Sequence, residues 1–342
     1  VDADIILSIE DLRTHFLQRQ GTVRSVDGVS FQVPRGKTVC VVGESGCGKS
    51  VTARSVLGLV EPPGRIVGGK IQWRGGDGRK SIDLTTLGTR GEEFRRIRGG
   101  EIAMVFQEPM ASLSPMYTVG DHLVEAITLH RPLTRSEAAA EAVGLLERVG
   151  IPRAADRMNS YPFQLSGGMC QRVMIAIAIA CSPSLLIADE PTTALDVTTQ
   201  ARILDLLNEL KSENNMSMLF ITHDLGVVAE VADEVVVMYL GTVVEQGDVF
   251  SIFDNPRHPY TRALMSSVTT LGASERRTAL IRGEVPSPLN RPSGCPFHPR
   301  CPEAIAGVCD VRPPTNVRLG RAAVRCVLYQ DSAGSETGVV TS

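Results

Sequence analysis

The octapeptide Gly43-Glu44-Ser45-Gly46-Cys47-Gly48-Lys49-Ser50 constrains this chain more than any other stretch. It follows a short apolar run, Thr38 to Val42, with the length and composition of a buried parallel strand. A helical pattern follows from Val51 to Val60, stopped by Pro62-Pro63-Gly64. Glycines at the first, fourth and sixth positions let backbone N–H groups converge on an anion, and the helix N-terminus adds partial positive charge. Strand, loop and helix in register are the context that the phosphate-binding pattern G-x-x-x-x-G-K-S demands. Gly43 to Val51 are therefore expected to bind a nucleoside triphosphate. Lys49 would reach its β- and γ-phosphates, and the Ser50 hydroxyl would hold Mg²⁺.

A second apolar strand, Leu185 to Ala188, delivers Asp189 and Glu190 at its C-terminal end, where ligands sit in sheets of this kind. Asp189 is expected to bind Mg²⁺ through water, and Glu190 to orient and deprotonate an attacking water. The bland alternative, a pair that only caps the next helix, weakens beside a phosphate loop. Between and beyond these motifs, strand patterns recur at Ile5–Ile9, Val29–Val33, 70–73, 102–106, 218–222 and 235–239. Helical patterns occupy Thr134 to Val149, opened by the capping box Thr134-Arg135-Ser136-Glu137, then Gly167 to Ala180 and Thr199 to Ser212. This alternation predicts an α/β fold, a doubly wound core with a helical insertion.

At Leu165-Ser166-Gly167-Gly168-Met169 the chain resembles the signature motif of ABC ATPases. In that family Ser166, Gly167 and Gly168 would contact the γ-phosphate held by the opposite subunit of a head-to-tail dimer. Methionine stands at 169 where glutamine is usual, a variation that peptide-importer subunits share. Gln107, in Phe106-Gln107-Glu108-Pro109, resembles the Q-loop, which touches Mg²⁺. Ala194-Leu195-Asp196 resembles the D-loop at the dimer interface. His223, 33 residues after Glu190, resembles the switch histidine at the γ-phosphate. The resemblance implies an α/β P-loop NTPase core with an antiparallel β subdomain and a helical insertion at about 109–172, and an ATPase with Lys49, Gln107, Glu190 and His223 as its catalytic set, and ATP and Mg²⁺ as cofactors. The aromatic that often stacks on adenine has no counterpart between Gln18 and Arg24; Phe16, Gln20 and Val23 are the candidates. Cys47 inside the phosphate loop reads either as a thiol whose modification blocks ATP or as a tolerated small residue.

After Gly247 proline becomes frequent, marking an appended loop-rich module over 251–330 that follows an ABC domain over 1–250. Residues 331–342 are polar and small and are expected to form a disordered tail. Asn255-Pro256-Arg257-His258-Pro259-Tyr260-Thr261-Arg262-Ala263-Leu264 resembles the hallmark of oligopeptide, dipeptide and nickel importers, and its expected task is to pack a helix, Tyr260 to Ser267, on the core. Four of the eight cysteines then follow as Cys295-x5-Cys301-x7-Cys309-x16-Cys326. Four thiolates suit zinc or an iron–sulfur cluster, with ordinary or disulfide cysteines as the third possibility. The paired knuckles usual for zinc are absent, and the importer resemblance implies a [4Fe-4S] cluster with a structural task.

Lys and Arg total 35 against 38 Asp and Glu, a net charge of −3, so no broad basic field is available for nucleic acid. The longest apolar stretch, Val173 to Cys181, is about half of what a spanning helix needs. Val1 to Glu10 alternates and is acidic, unlike a signal peptide. The expectation is a bacterial subunit on the cytoplasmic face of the inner membrane, peripheral through its partners. By resemblance those are two transmembrane permeases, a second, related but non-identical ATPase subunit, and an extracytoplasmic binding protein. Di- or oligopeptides are the expected cargo. The same machine could carry nickel, oligosaccharides, opines or glutathione, and no residue here discriminates them. A non-transport ABC ATPase would need a coiled-coil insertion or tandem cassettes and a basic surface. A purely regulatory subunit would not need Glu190 and His223.

Overall fold

The structure, a computed structural model, describes residues 4–75, 81–193, 195–266 and 283–330. The expected tail at 331–342, Ala194 of the D-loop-like segment, and Ser267 at the end of the expected helix lie outside these residues. In chain order the strands are β1 (Ile5–Gln18), β2 (Gly21–Pro34), β3 (Thr38–Val42), β4 (Gly64–Trp73), β5 (Ile82–Asp83), β6 (Ile102–Val105), β7 (Leu185–Asp189), β8 (Ser217–Thr222), β9 (Glu234–Tyr239), β10 (Thr242–Asp248), β11 (Val317–Leu319) and β12 (Ala322–Val324). The helices are α1 (Lys49–Val56), α2 (Glu92–Gly100), α3 (Pro109–Ser112), α4 (Val119–His130), α5 (Arg135–Arg148), α6 (Ala154–Arg157), α7 (Gly167–Ile179), α8 (Val197–Glu213), α9 (Leu225–Val231), α10 (Val249–Asp254) and α11 (Pro259–Ser266).

The chain divides into two compact units. The first takes in residues 1–8, 32–38 and 71–221, and the second 9–31, 39–70 and 222–342. The first unit holds the parallel strands β6, β7 and β8, with Ile102 opposite Leu185 and Leu185 opposite Ser217. Every residue of these three strands is buried, which is why they read as unbroken apolar runs rather than alternating ones. Trp73 is fully buried, and its indole N–H donates to Glu101 Oε2 at 2.9 Å. The segment expected as the helical insertion carries α3 to α6. Thr118 and Thr134 each close a capping box, on α4 with Asp121 and on α5 with Glu137, the second as the sequence predicts.

In the second unit β3 runs parallel to β9, with Val41 opposite Val236, and β9 turns back antiparallel into β10. β10 pairs with β12, and β12 with β11. The expected loop-rich module therefore carries a short hairpin that joins the strand ladder of this unit. Its small core gathers Val317, Val324 and Cys326, with Leu319 and Tyr329 against them. β1 and β2 are each 14 residues long and joined by the two-residue turn Arg19-Gln20. In the first unit Gln72 and Trp73, at the end of β4, pair antiparallel with Asp83 and Ile82 of β5. The expected helix from Val51 to Val60 instead begins at Lys49 and ends at Val56. Gly58, at φ +60°, supplies the left-handed residue that closes it, before the prolines can act. Among the described residues no helix is long and apolar enough to cross a membrane.

Candidate functional site: a phosphate loop, a carboxylate strand end and a cysteine pocket

The phosphate loop leaves β3 and enters α1 in the second unit. Two of its glycines are forced. A Cβ on Gly43 (φ +150°) would stand 2.2 Å from the Met238 carbonyl oxygen, and one on Gly48 (φ +101°) 2.2 Å from that of Ser25. The N-cap of α1 is Gly48, which has no side chain to close the helix start. Lys49 is buried, and its ammonium donates to the Gly43 oxygen at 2.7 Å and the Glu44 oxygen at 3.2 Å. The charge is thus held across the loop that the glycines shape. Ser45 and Gly46 are exposed.

Cys47 is 1% exposed, and burial pushes its thiol up, with Lys49 opposing. Because thiolate is the reactive form, Cys47 is expected to resist iodoacetamide at neutral pH in the folded chain and to react once unfolded. Peptide mass spectrometry after timed alkylation checks this; modification at equal rates in both states would contradict it. The tolerated-small-residue alternative fits this environment.

The first unit carries the carboxylates. Asp189 ends β7 and is buried at 2% exposure. Glu190 follows at φ +48°, a left-handed conformation that costs a non-glycine residue about 1–2 kcal/mol. Its backbone N–H donates to the Ile221 oxygen at 2.8 Å, so β8 holds this turn in place. Gln107 Nε2 donates to Glu190 Oε2 at 3.1 Å, and the Thr193 hydroxyl donates to the same oxygen at 2.9 Å. Glu190 is half-buried at this turn.

Two helix starts in this unit carry other expected site residues. Ser166 is the exposed N-cap of α7, its hydroxyl accepting the Met169 N–H at 3.3 Å, with Gly167 and Gly168 in the first turn. Asp196 caps α8, accepting the Thr199 N–H at 2.9 Å, and this bond holds its carboxyl below the usual range. His223, in the second unit, is exposed and directly follows β8. Of the candidates for adenine, Phe16 packs its ring against Gly64, where an added Cβ would stand 2.6 Å from Cε1.

Sequence reasoning missed the group that braces the phosphate loop from behind. The Glu44 backbone N–H donates to the Tyr260 hydroxyl at 2.9 Å. The Glu44 carboxylate takes two bonds from Arg300, at 2.7 and 3.0 Å. Arg300 also reaches the Tyr239 hydroxyl at 3.3 Å and lies over that ring. Tyr239, Tyr260 and Phe297 form one aromatic cluster with centroids 4.8–5.3 Å apart. On β10, buried Glu245 accepts the N–H groups of Arg257 and His258 at 2.7 and 2.8 Å and so fixes the start of α11. Arg291 meets Asp27 of β2 at 2.7 Å.

Cys295, Cys301, Cys309 and Cys326 all line one pocket, together with His258 and Phe297. Burial pushes Cys301 and Cys326 up to about 11, and the neighbouring cysteines push the same way. The Cys295 N–H donates to the Cys309 oxygen at 2.7 Å, tying two of the four together. The expected iron–sulfur site is not preformed: among the described residues no group of three or more His, Cys, Asp or Glu stands at metal-holding geometry.

Residues 26–193 match the ABC transporter family, and residues 244–309 match the oligopeptide/dipeptide transporter C-terminal region. The dipeptide transport ATP-binding protein DppD of Escherichia coli K12 is 45% identical over 332 residues, covering 97% of this chain and 99% of DppD. The chain belongs to the ABC transporter ATP-binding family, in its oligopeptide/dipeptide branch. A putative peptide import ATP-binding protein of Brucella abortus is 50% identical over 96% of this chain and 98% of its own. The ATP-binding cassette MJ0796, solved as a dimer bound to ADP and Pi, shares the fold with a TM-score of 0.62 over 71% of this chain and 98% of its own, at 24% identity. CbiO1 of Clostridium perfringens does so at 0.59 over 74% of this chain and 92% of its own, at 28% identity. This ABC protein is accordingly an ATPase with the P-loop fold of the family, and the resemblance drawn from Ser166, Gln107 and His223 is borne out at the level of family.

Proposed function

We propose that this ABC ATPase energises the import of di- or oligopeptides through a pair of permease subunits fed by an extracytoplasmic binding protein. The observation that carries the cargo assignment is the second family match, over 244–309, together with full-length similarity to proteins named for dipeptide and peptide transport. The chain would work as a peripheral subunit on the cytoplasmic face of the bacterial inner membrane. Its ATPase domain would span 1–250, with the insertion at about 109–172 receiving the permease and 251–330 forming the cysteine module.

Each site residue has a task in this reading. The N–H groups of Gly43 to Val51, with Lys49, would cradle the ATP phosphates. Ser50, Asp189 and Gln107 would hold Mg²⁺, which when bound would neutralise charge on the ATP phosphates. Glu190 would take the proton of the attacking water, and Gln107, already bonded to it at 3.1 Å, would hold its carboxylate in place. His223 would contact the γ-phosphate. Ser166 to Gly168 would complete the site of a second, related ATPase subunit, with Asp196 at that interface. Nucleotide binding would then bias a two-state closure that hydrolysis resets.

The four cysteines are read as ligands of a [4Fe-4S] cluster, in preference to zinc. The support is their convergence on one pocket and the donor set itself, four cysteine sulfurs of the kind that ligates iron–sulfur clusters. When bound, the cluster would cross-link Cys295, Cys301, Cys309 and Cys326 within the module.

The test of the transport reading is ATPase activity of the complete complex in liposomes, with its binding protein loaded in turn with dipeptide, longer peptide and Ni²⁺. Strong stimulation by one peptide class is expected. Stimulation by Ni²⁺ alone, or by none, would sink the peptide assignment while leaving ATP hydrolysis in place.

A further inference from the structure

His258 is 1% exposed and lines the pocket that takes in the four cysteines. Its ring is fixed from several sides. Glu245 holds its backbone N–H at 2.8 Å, Phe297 lies 5.8 Å away ring to ring, and Nδ1 accepts the Tyr260 N–H at 3.1 Å. With Nδ1 engaged as an acceptor, the neutral ring carries its proton on Nε2. That nitrogen is buried and makes no hydrogen bond among the described residues. A buried donor left without an acceptor loses its hydration without recompense, and such a group in a native protein calls for an explanation. The side-chain acceptors that line this pocket include four cysteine sulfurs and Glu303, whose carboxylate is already held by Arg262 at 2.6 Å. In a thiolate-held metal–sulfur group the sulfur atoms carry negative charge and accept more strongly than a neutral thiol.

We propose that His258 Nε2–H donates a hydrogen bond to a sulfur atom of the group held by Cys295, Cys301, Cys309 and Cys326, as a positioning residue of that centre. The inference rests on the iron–sulfur reading given above. A donor aimed at cluster sulfur stabilises the reduced form, which carries one more negative charge, and so raises the reduction potential. It also gives the His258-Pro259-Tyr260 run two ends: His258 faces the cysteine pocket, while the Tyr260 hydroxyl holds the phosphate loop at Glu44.

The experiment uses the full chain, purified anaerobically, as wild type, His258→Leu and His258→Gln. Iron and acid-labile sulfide are assayed first, then the midpoint potential is measured by mediated spectroelectrochemical titration. Removing the donor in His258→Leu should disfavour the reduced form about tenfold, a downward shift of ~59 mV for a one-electron couple, with His258→Gln in between. Wild-type protein labelled with ¹⁵N-histidine provides a measurement that no folding defect can spoil. Its reduced centre should show hyperfine coupling to a histidine ring nitrogen. An intact centre with no such coupling and an unshifted potential would overturn the role of His258 alone. Wild-type protein free of iron and sulfide would overturn the cluster reading and this inference together.

Discussion

Glu190→Gln should bind ATP as tightly as the parent chain and lose on the order of 10²–10⁴-fold in turnover, the usual contribution of a general base. The substitution is nearly isosteric, so the left-handed turn at φ +48° and the Glu190 N–H bond to Ile221 should survive. What changes is the side-chain oxygen that now accepts from both Gln107 and Thr193. An amide can still accept both bonds through its oxygen, but it cannot take a proton from water. The expected signature is therefore a fall in kcat with nucleotide affinity kept, measured by steady-state hydrolysis beside equilibrium binding of a labelled ATP analogue. Parallel loss of binding would mean that Glu190 supports the loop structurally, and near-normal turnover would remove it from the chemistry. Gln107→Ala should give a milder loss, because Thr193 still holds the same oxygen.

Much of the nucleotide half was legible because its physics is local. An apolar strand, a glycine pattern and a helix start lie within a few residues of one another at Thr38–Val56, and again an apolar strand carries Asp189 and Glu190. The fully buried strands β6, β7 and β8 announced themselves as continuous apolar runs. The helix after the phosphate loop was misjudged because Pro62-Pro63 is a louder stop signal than Gly58, whose backbone conformation in fact ends it. β10 is absent from the strand patterns of the sequence because it carries Glu245, a residue type seldom buried, which is here fully buried against two backbone N–H groups. The brace behind the phosphate loop was illegible for a different reason. Its partners are separated by 216 residues between Glu44 and Tyr260 and by 256 between Glu44 and Arg300, and no local pattern encodes such a contact. The cysteines stood between these cases. Their spacing pointed to one site and the fold brings them to one pocket, but no spacing could place His258 among them.

Arg300→Ala should loosen the phosphate loop without touching a residue that faces nucleotide. The Arg300 side chain is 6% exposed and that of Glu44 27%, so the pair is only partly screened. Truncating one member of a buried pair costs about 3–5 kcal/mol when the remaining charge is stranded. Glu44 can recover some water, which brings the expected loss of stability to about 1.5–3 kcal/mol, the range for hydrogen bonds to charged groups. Arg300→Lys should recover little, because an ammonium cannot make the two parallel bonds of the guanidinium. Since Glu44 is the second residue of the loop, the functional effect should fall on ATP binding: a rise of roughly tenfold in KM with kcat much less affected, the pattern of lost uniform binding. The decisive measurement is a double-mutant cycle of Glu44→Ala and Arg300→Ala, read by denaturant unfolding and by KM, with iron content followed in every sample because Arg300 adjoins Cys301. Coupling above about 1 kcal/mol in both readouts is expected for a direct brace. Additive effects would mean that Arg300 acts through the aromatic cluster of Tyr239, Tyr260 and Phe297 instead. Unchanged KM would leave the pair as a purely structural tie between the cysteine module and the phosphate loop.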